Sequence, residues 1–450
     1  MKKNIIAALV SLSCAFGATT AQAEDLLQVF EIATANDPTV LKAQAQAKAQ
    51  SYENDRAMSV LLPQVALTMG YSKIDDLSFD GYDNSGYTRS DTDYTSFTRG
   101  LSLSQTLFDL GAWNTLDIAE KQALQANAQY DDAKQGLIVR VAEGYFNVLG
   151  AIDNLEFVKA EKRAIERQLE QTKERYAVGL TAITDVHEAQ AQFDNSIAQQ
   201  IIANNTVETA REQLREITGK YHEKLDTLNT TTFSTVKPIK RSTDFVNIAQ
   251  EKNLSLQVAK VSVDIAKDQI EQAKAGHFPK LTLSASYGDT LTNGDVNAIT
   301  FDDMPRGDTT TVSLNLSVPI YSGGATVAAT NQARAYFVAT SQDLESNYRA
   351  ITRSVITSYN QVVSDIATYK ALEQAVISAQ SALKATEAGF EVGTRTIVDV
   401  LISTQNLYSA KRNLADVRYR YVLSTLRLKQ ATGTLTRDDL TSINKGLIKS

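Results

Sequence analysis

Four short stretches of the chain alternate between apolar and small or polar positions. Val65, Leu67, Met69 and Tyr71 are interleaved with Gln64, Ala66, Thr68 and Gly70. Leu101, Leu103 and Leu107 are interleaved with Ser102, Ser104 and Thr106. Leu281, Leu283, Ala285 and Tyr287 alternate with Thr282, Ser284, Ser286 and Gly288, and Val312, Leu314, Leu316 and Val318 with Thr311, Ser313, Asn315 and Ser317. A period of two predicts strands over about 62–74, 96–108, 279–291 and 309–320. One face of each is apolar and the other small and polar, as in a strand between lipid and a wet lumen. The acidic connections carry Asp75, Asp76, Asp80, Asp83, Asp91 and Asp93 in the first hairpin. In the second they carry Asp289, Asp295, Asp302, Asp303 and Asp308. Both are expected as solvated extracellular loops.

The rest of the pattern is helical. The six prolines are Pro38, Pro63, Pro238, Pro279, Pro305 and Pro319, which leaves 64–237 and the chain beyond 319 free of them. One helix is predicted from about 110 to about 178, roughly 100 Å at 1.5 Å per residue. A second runs over 323–390. Each ends at a Val-Gly pair and is followed by a shorter helix. In the last of these Val400, Leu407, Leu414, Tyr421 and Leu428 recur every seventh residue, beside Ser403, Ala410, Val417, Ser424 and Ala431. Large residues facing small ones at that spacing predict close, coiled-coil-like packing.

The architecture occurs twice. Residues 169–219 align without a gap on 383–433, pinned by Thr172/Thr386, Gly179/Gly393, Asp185/Asp399 and Gly219/Gly433. Upstream, Pro63, Leu67 and Tyr71 correspond to Pro279, Leu283 and Tyr287. The expected organisation is a first repeat over 24–219, a connecting segment over 220–245, a second repeat over 246–433 and a tail over 434–450. Four strands fall short of the roughly eight that a small membrane barrel requires, so the chain needs copies of itself.

Residues 1–23 read as a signal peptide. Lys2 and Lys3 precede the apolar run Ile5–Cys14, and Ala21-Gln22-Ala23 is a small-residue cleavage site. Cys14 is the single cysteine, so the mature chain has no disulfide, thiolate nucleophile or cysteine metal ligand. Loss of Lys2 and Lys3 takes the formal net charge from −7 to −9, which argues against a nucleic-acid partner. His187, His222 and His277 are isolated, and no phosphate loop, nucleophile elbow or zinc motif is present. The expectation is no enzyme and no cofactor. A secreted coiled-coil structural or adhesive protein without a lumen is the competing reading, and the four lipid-patterned strands weigh against it.

Several motifs resemble the TolC family of outer-membrane efflux channels. They are Leu62-Pro63-Gln64, Leu107-Phe108-Asp109, 142–153 (AEGYFNVLGAID), 178–186 (VGLTAITDV), 213–219 (QLREITG), 321–324 and 392–401 (VGTRTIVDVL). The resemblance implies a mainly α protein with a membrane β-barrel, assembled as a homotrimer. A twelve-stranded barrel in outer-membrane lipid would continue as an α-helical barrel through the periplasm. An equatorial band would be built from 220–250 and the tail. A periplasmic adaptor and an inner-membrane pump or ABC exporter would complete an exit path for drugs, detergents or secreted polypeptides. By the same resemblance the periplasmic gate involves Thr184, Asp185, Arg395 and Arg418. Phe390 stands where the family has Tyr, with one hydroxyl fewer. Asp399 would form a cation-selective ring whose crowding raises some of its pKa values. Ile402 occupies a position that is commonly acidic in the family. Val178, Gly179, Leu180, Thr181, Val392, Gly393 and Thr394 would receive the adaptor.

Overall fold

The computed structural model describes residues 23–83, 86–296, 299–301 and 306–449. Helices α1 (Leu26–Asn36) and α2 (Pro38–Ser59) lead into strands β1 (Gln64–Asp83) and β2 (Gly86–Asp109). Helices α3 (Leu110–Ala177) and α4 (Ile183–Thr218) follow, then a two-residue strand β3 (Thr227–Leu228). The order repeats with α5 (Ser242–Lys252), α6 (Leu254–Lys274), β4 (Lys280–Val296), a short β5 (Ile299–Phe301), β6 (Arg306–Ser317), α7 (Ala325–Glu391) and α8 (Ile397–Ala431). Helix α9 (Arg437–Asn444) and strand β7 (Leu447–Ile448) come last.

Both copies break their leading helices with one device. Asp37 accepts from the Val40 N–H at 2.8 Å and is followed by Pro38, a favoured first helical residue. Asn253 does the same between α5 and α6, accepting from the Leu256 N–H at 2.9 Å. The long helices α3 and α7 have 68 and 67 residues.

One compact unit comprises Gln46–Asn127 and Val258–Glu345. Its sheet is antiparallel in the order β1-β2-β4-β6, with β5 against the end of β4. The register puts Val65, Leu103, Ala285 and Val312 in one row and Leu67, Leu101 and Tyr287 in the next. Most of these side chains are exposed, namely Val65, Leu67, Leu101, Tyr287 and Val312, as are Leu314 and Leu316 further along β6. The opposite face carries Ala66, Ser102, Ser286 and Thr311, then Thr68, Gly100, Gly288 and Thr309. At Gly100 a Cβ would come within 2.9 Å of Thr68 Oγ1, so a larger residue would require that side chain to shift. Among the described residues β1 pairs only with β2 and β6 only with β4, so both outer edges are open.

The acidic connections differ from the expectation. Backbone pairing continues to Asp83↔Gly86, so Asp75, Asp76, Asp80, Asp83, Asp91 and Asp93 lie on strands. Asp289 and Asp295 lie on β4, and Asp308 lies on β6. Asp302 and Asp303 fall outside the described residues. The physical reason is that a hairpin satisfies its own backbone groups, so it continues wherever β-prone residues such as Thr88, Thr92 and Tyr94 supply the propensity. Asp289 is moreover paired with Arg99 on the apolar face, in the row of Met69. Beneath the sheet, α3 is tied to α6 by Lys121–Asp268 and by Gln125 donating to Ser262 at 2.6 Å.

The other unit comprises the segment through Ala45, Ala128–Gln257 and the chain from Ser346. Its largest core centres on 137–158 of α3, where Leu137, Val141, Ala142, Tyr145, Phe146, Val148 and Leu149 are buried with Leu26, Leu214, Leu426 and Leu440. The Tyr145 hydroxyl donates to the Asp226 carbonyl at 2.7 Å. Arg140 holds buried Asp37 through two hydrogen bonds of 2.8 and 2.9 Å. β3 pairs with β7, which brings the connecting segment and the tail together. The seam of α4 is small and closed: Ala189, Ser196, Ala203 and Ala210 are all buried. Among the described residues no helix is long and apolar enough to cross a membrane.

Candidate functional site

The helical hairpins α3–α4 and α7–α8 reverse direction through the same backbone motif. Gly179 and Gly393 adopt φ +76 and +80, the left-handed conformation that glycine alone reaches without strain. In the first hairpin the Gly179 N–H donates to Tyr176 O at 3.0 Å and the Leu180 N–H to Arg175 O at 2.8 Å. In the second, the Gly393 N–H donates to Phe390 O at 3.1 Å and the Thr394 N–H to Gly389 O at 2.8 Å. These nested bonds satisfy the last free carbonyls of α3 and α7. A Cβ on either glycine would meet nothing within 4 Å, so both tips face open space. Val178, Leu180 and Val392 are exposed beside them, and Thr394 is exposed while Thr181 is half-buried.

The acids after the turns are helix-starting residues. Thr396 and Asp399 form a reciprocal box: the Thr396 N–H and hydroxyl each donate to Asp399 Oδ2 at 2.9 Å, and the Asp399 N–H donates back at 3.3 Å. The Thr396 backbone bond, then its hydroxyl and the charge of Arg395 hold the Asp399 carboxyl below the ordinary aspartate range. Within one chain this opposes the upward shift expected of a crowded ring. Asp185 begins α4 from the same position, accepting from the Thr181 hydroxyl. Its N-cap is Ala182, which has no side chain to offer.

Within one chain the expected gate residues form no ion pair with one another among the described residues. Thr184 and Arg395 are exposed, and among the described residues Arg395 makes no ion pair with Asp185. Arg418 lies on α8 about 28 Å along the helix from Asp399, at 1.5 Å per residue. There it approaches the Tyr369 ring at 5.9 Å, and its Nε is buried without an acceptor. Its charge also acts on Asp153, whose carboxyl is pushed up by burial while accepting from the Tyr419 hydroxyl at 2.6 Å. Phe390 is 7% exposed, packed with Ile165, Leu169, Ala189, Ile397, Val400 and Leu401. Ile402 is 51% exposed, so that position is a surface one. Sequence reading missed Arg175, which stands over the Phe390 ring at 4.7 Å. Its alignment with a glycine in the second repeat was the available signal.

The description "Outer membrane efflux protein" fits residues 29–220 and 245–434, one match for each copy. The chain belongs to that family. It is 44% identical over 445 residues to the outer membrane protein TolC of Vibrio cholerae serotype O1, covering 99% of both chains. It is 29% identical over 455 residues to the proteases secretion protein PrtF of Dickeya chrysanthemi, covering 98% of this chain and 94% of the other. Its fold matches the crystal structure of the Campylobacter jejuni CmeC outer membrane channel with a TM-score of 0.74 and 17% identity, over 94% of this chain and 90% of that one. The fold of this efflux protein is therefore that of the outer-membrane channels: mainly α, with a four-strand sheet and an internal repeat.

Proposed function

We propose that three copies of this chain form an outer-membrane exit duct for efflux and for secreted polypeptides. The observation that carries the reading is the sheet. It is exposed and apolar on one face, small and polar on the other, and open at both edges. An unpaired edge bearing exposed apolar residues is a template for another strand, and closure into a barrel removes it altogether. A lumenless coiled-coil protein has no use for such a sheet. The family description, which names efflux, and a relative named for protease secretion support the two cargo classes.

In this assembly the strands form a barrel in outer-membrane lipid and the long helices a periplasmic tunnel. The repeats span 24–219 and 246–433, after a signal peptide over 1–23. The connecting segment 220–245 and the tail 434–450 form a band, a reading supported by the β3–β7 pairing. The tips dock a periplasmic adaptor through Val178, Gly179, Leu180, Thr181, Val392, Gly393 and Thr394, coupled to an inner-membrane pump or ABC exporter. Their outward apolar residues and open glycines support this. Thr184, Asp185, Arg395 and Arg418 hold the entrance closed through hydrogen bonds and ion pairs between the helix pairs. Asp399 supplies the ring that favours cations.

The test is assembly. Purified outer membranes should contain an SDS-resistant trimer. Because the chain has no cysteine after the signal peptide, single cysteines on β1 and β6 should crosslink only between copies. Crosslinking that stops at dimers overturns the trimer.

A further inference from the structure

The last turn of α3 carries Arg175 and Tyr176, and the repeat-equivalent turn of α7 carries Gly389 and Phe390. The two aromatic positions have opposite fates. Tyr176 is 45% exposed, whereas Phe390 is inserted among Ile165 and Leu169 of α3 and Ala189 of α4. Phe390 is thus one of the second hairpin's apolar contacts with the first near the tips, and it has no polar side-chain atom.

Arg175 closes over that contact. Its guanidinium carbon lies 4.7 Å from the ring centroid, inside the range where a cation is held by the face of an aromatic ring. Its Nε is buried and has no hydrogen-bond acceptor, and among the described residues Arg175 has no carboxylate partner. A guanidinium normally finds an acceptor for its N–H fork, so the ring face is what this one has instead. The arrangement cannot be mirrored. At Gly389, the place of Arg175 in the second copy, a Cβ would lie 2.7 Å from Arg395 Cγ. The stem of Arg395 occupies the space that a side chain at 389 would need. Among the described residues one such stack is present, directed from the first hairpin to the second.

We propose that Arg175 is a positioning residue of the entrance: stacked on Phe390, it holds the second hairpin against the first in the closed state. The proposal rests on reading the hairpin tips as the closed end of the duct. The cation–ring contact performs the joining role that the missing hydroxyl at 390 cannot. Opening moves the second hairpin away from the first and breaks the stack.

The experiment is a double-mutant cycle read by single-channel recording in planar bilayers. It uses the purified full-length assembly with Arg175→Gln, Phe390→Leu and the pair combined, beside Arg395→Ser. Each of the first two should raise the open-to-closed ratio by about 2- to 30-fold, the span set by exposed and desolvated cation–π contacts. The combined variant should exceed neither by much, because both changes remove one contact. Arg175→Lys, which keeps the charge but not the planar fork, should fall between wild type and Arg175→Gln. Additive effects, or Arg175→Gln gating as wild type while Arg395→Ser opens the channel, overturn the proposal and leave the entrance where it is. If Arg175→Gln and Arg395→Ser both gate as wild type, the tips are not the closed end, and the proposal falls with that reading. Arg175 is half-buried at a helix end, so its variants remain informative even where Phe390→Leu folds poorly.

Discussion

The tip of the first hairpin and the tip of the second share a backbone and differ in almost everything attached to it. Both close on a left-handed glycine with the same nested hydrogen bonds, and both begin the return helix with an aspartate at its third residue. Yet the first has Ala182 at the cap where the second has Thr396, and Thr181 where the second has Arg395. The first also has an exposed Tyr176 where the second has the buried Phe390. Duplication thus kept what a chain reversal demands. What each tip touches was left free to diverge, and the divergence turned two like hairpins into a socket and an insert.

Replacing Gly179 or Gly393 by Trp carries the largest expected effect. A Cβ added at either position meets nothing within 4 Å, and the positive φ costs on the order of 1–2 kcal/mol. Assembly in the membrane should survive while drug export, measured as resistance, is lost. Full resistance in either variant would mean that the corresponding tip is not a docking surface, and a difference between the two would rank them.

Next in size is the contrast of the aromatics. Phe390→Ala should cost about 3–5 kcal/mol in a denaturant melt, as for a buried ring. Tyr176→Ala at the equivalent exposed position should stay within about 0.5 kcal/mol. Equal costs would erase the distinction between socket and insert.

The caps give a smaller effect of opposite sign. Thr396→Ala removes a bonded cap and should cost about 0.5–2 kcal/mol. Ala182 already has the extended backbone that a cap requires, so Ala182→Ser should stabilise, by up to about 1 kcal/mol. Thermal denaturation of the two variants settles whether the tips are interchangeable at this level.

The smallest effect concerns charge. Asp399→Asn should weaken cation preference and reduce block by polyvalent cations, with little change in folding. Because hydrogen bonds from Thr396 hold the Asp399 carboxyl down, the carboxylate persists as pH falls past the ordinary aspartate value. Cation preference should therefore be lost only below that value. Loss at a higher pH would mean that repulsion within the ring outweighs the caps. Asp185→Asn, tested alongside, should leave selectivity nearly unchanged.

Much of the scaffold was legible because it is local. The Val-Gly breaks gave the helix ends at Ala177 and Glu391 within a residue or so, since the geometry of a chain reversal is decided by glycine and its immediate neighbours. The heptad row of α8 was legible too: Val400, Leu407, Leu414 and Leu428 are buried. The hairpin extensions were not, because Asp, Ser and Gly read as loop chemistry, whereas pairing with the opposite strand overrides weak propensity. The site was legible only as positions. Asp185, Arg395 and Arg418 look like one network in a list of charges, but about 28 Å of helix separates Arg418 from the tip.

By itself the sequence determined the doubled plan, the two-faced strands, the long helices and the glycines that reverse them. Each depends on interactions within a few residues or on a period that any single element displays. Only the tertiary structure decided that Phe390 is buried and Tyr176 is not, that Arg175 lies across the ring, and that Asp289 meets Arg99 on the apolar face. Those contacts join residues far apart in the chain. Their energies depend on which faces meet when α3, α4, α7 and α8 pack and when β2 and β4 fall into register, which no local pattern specifies.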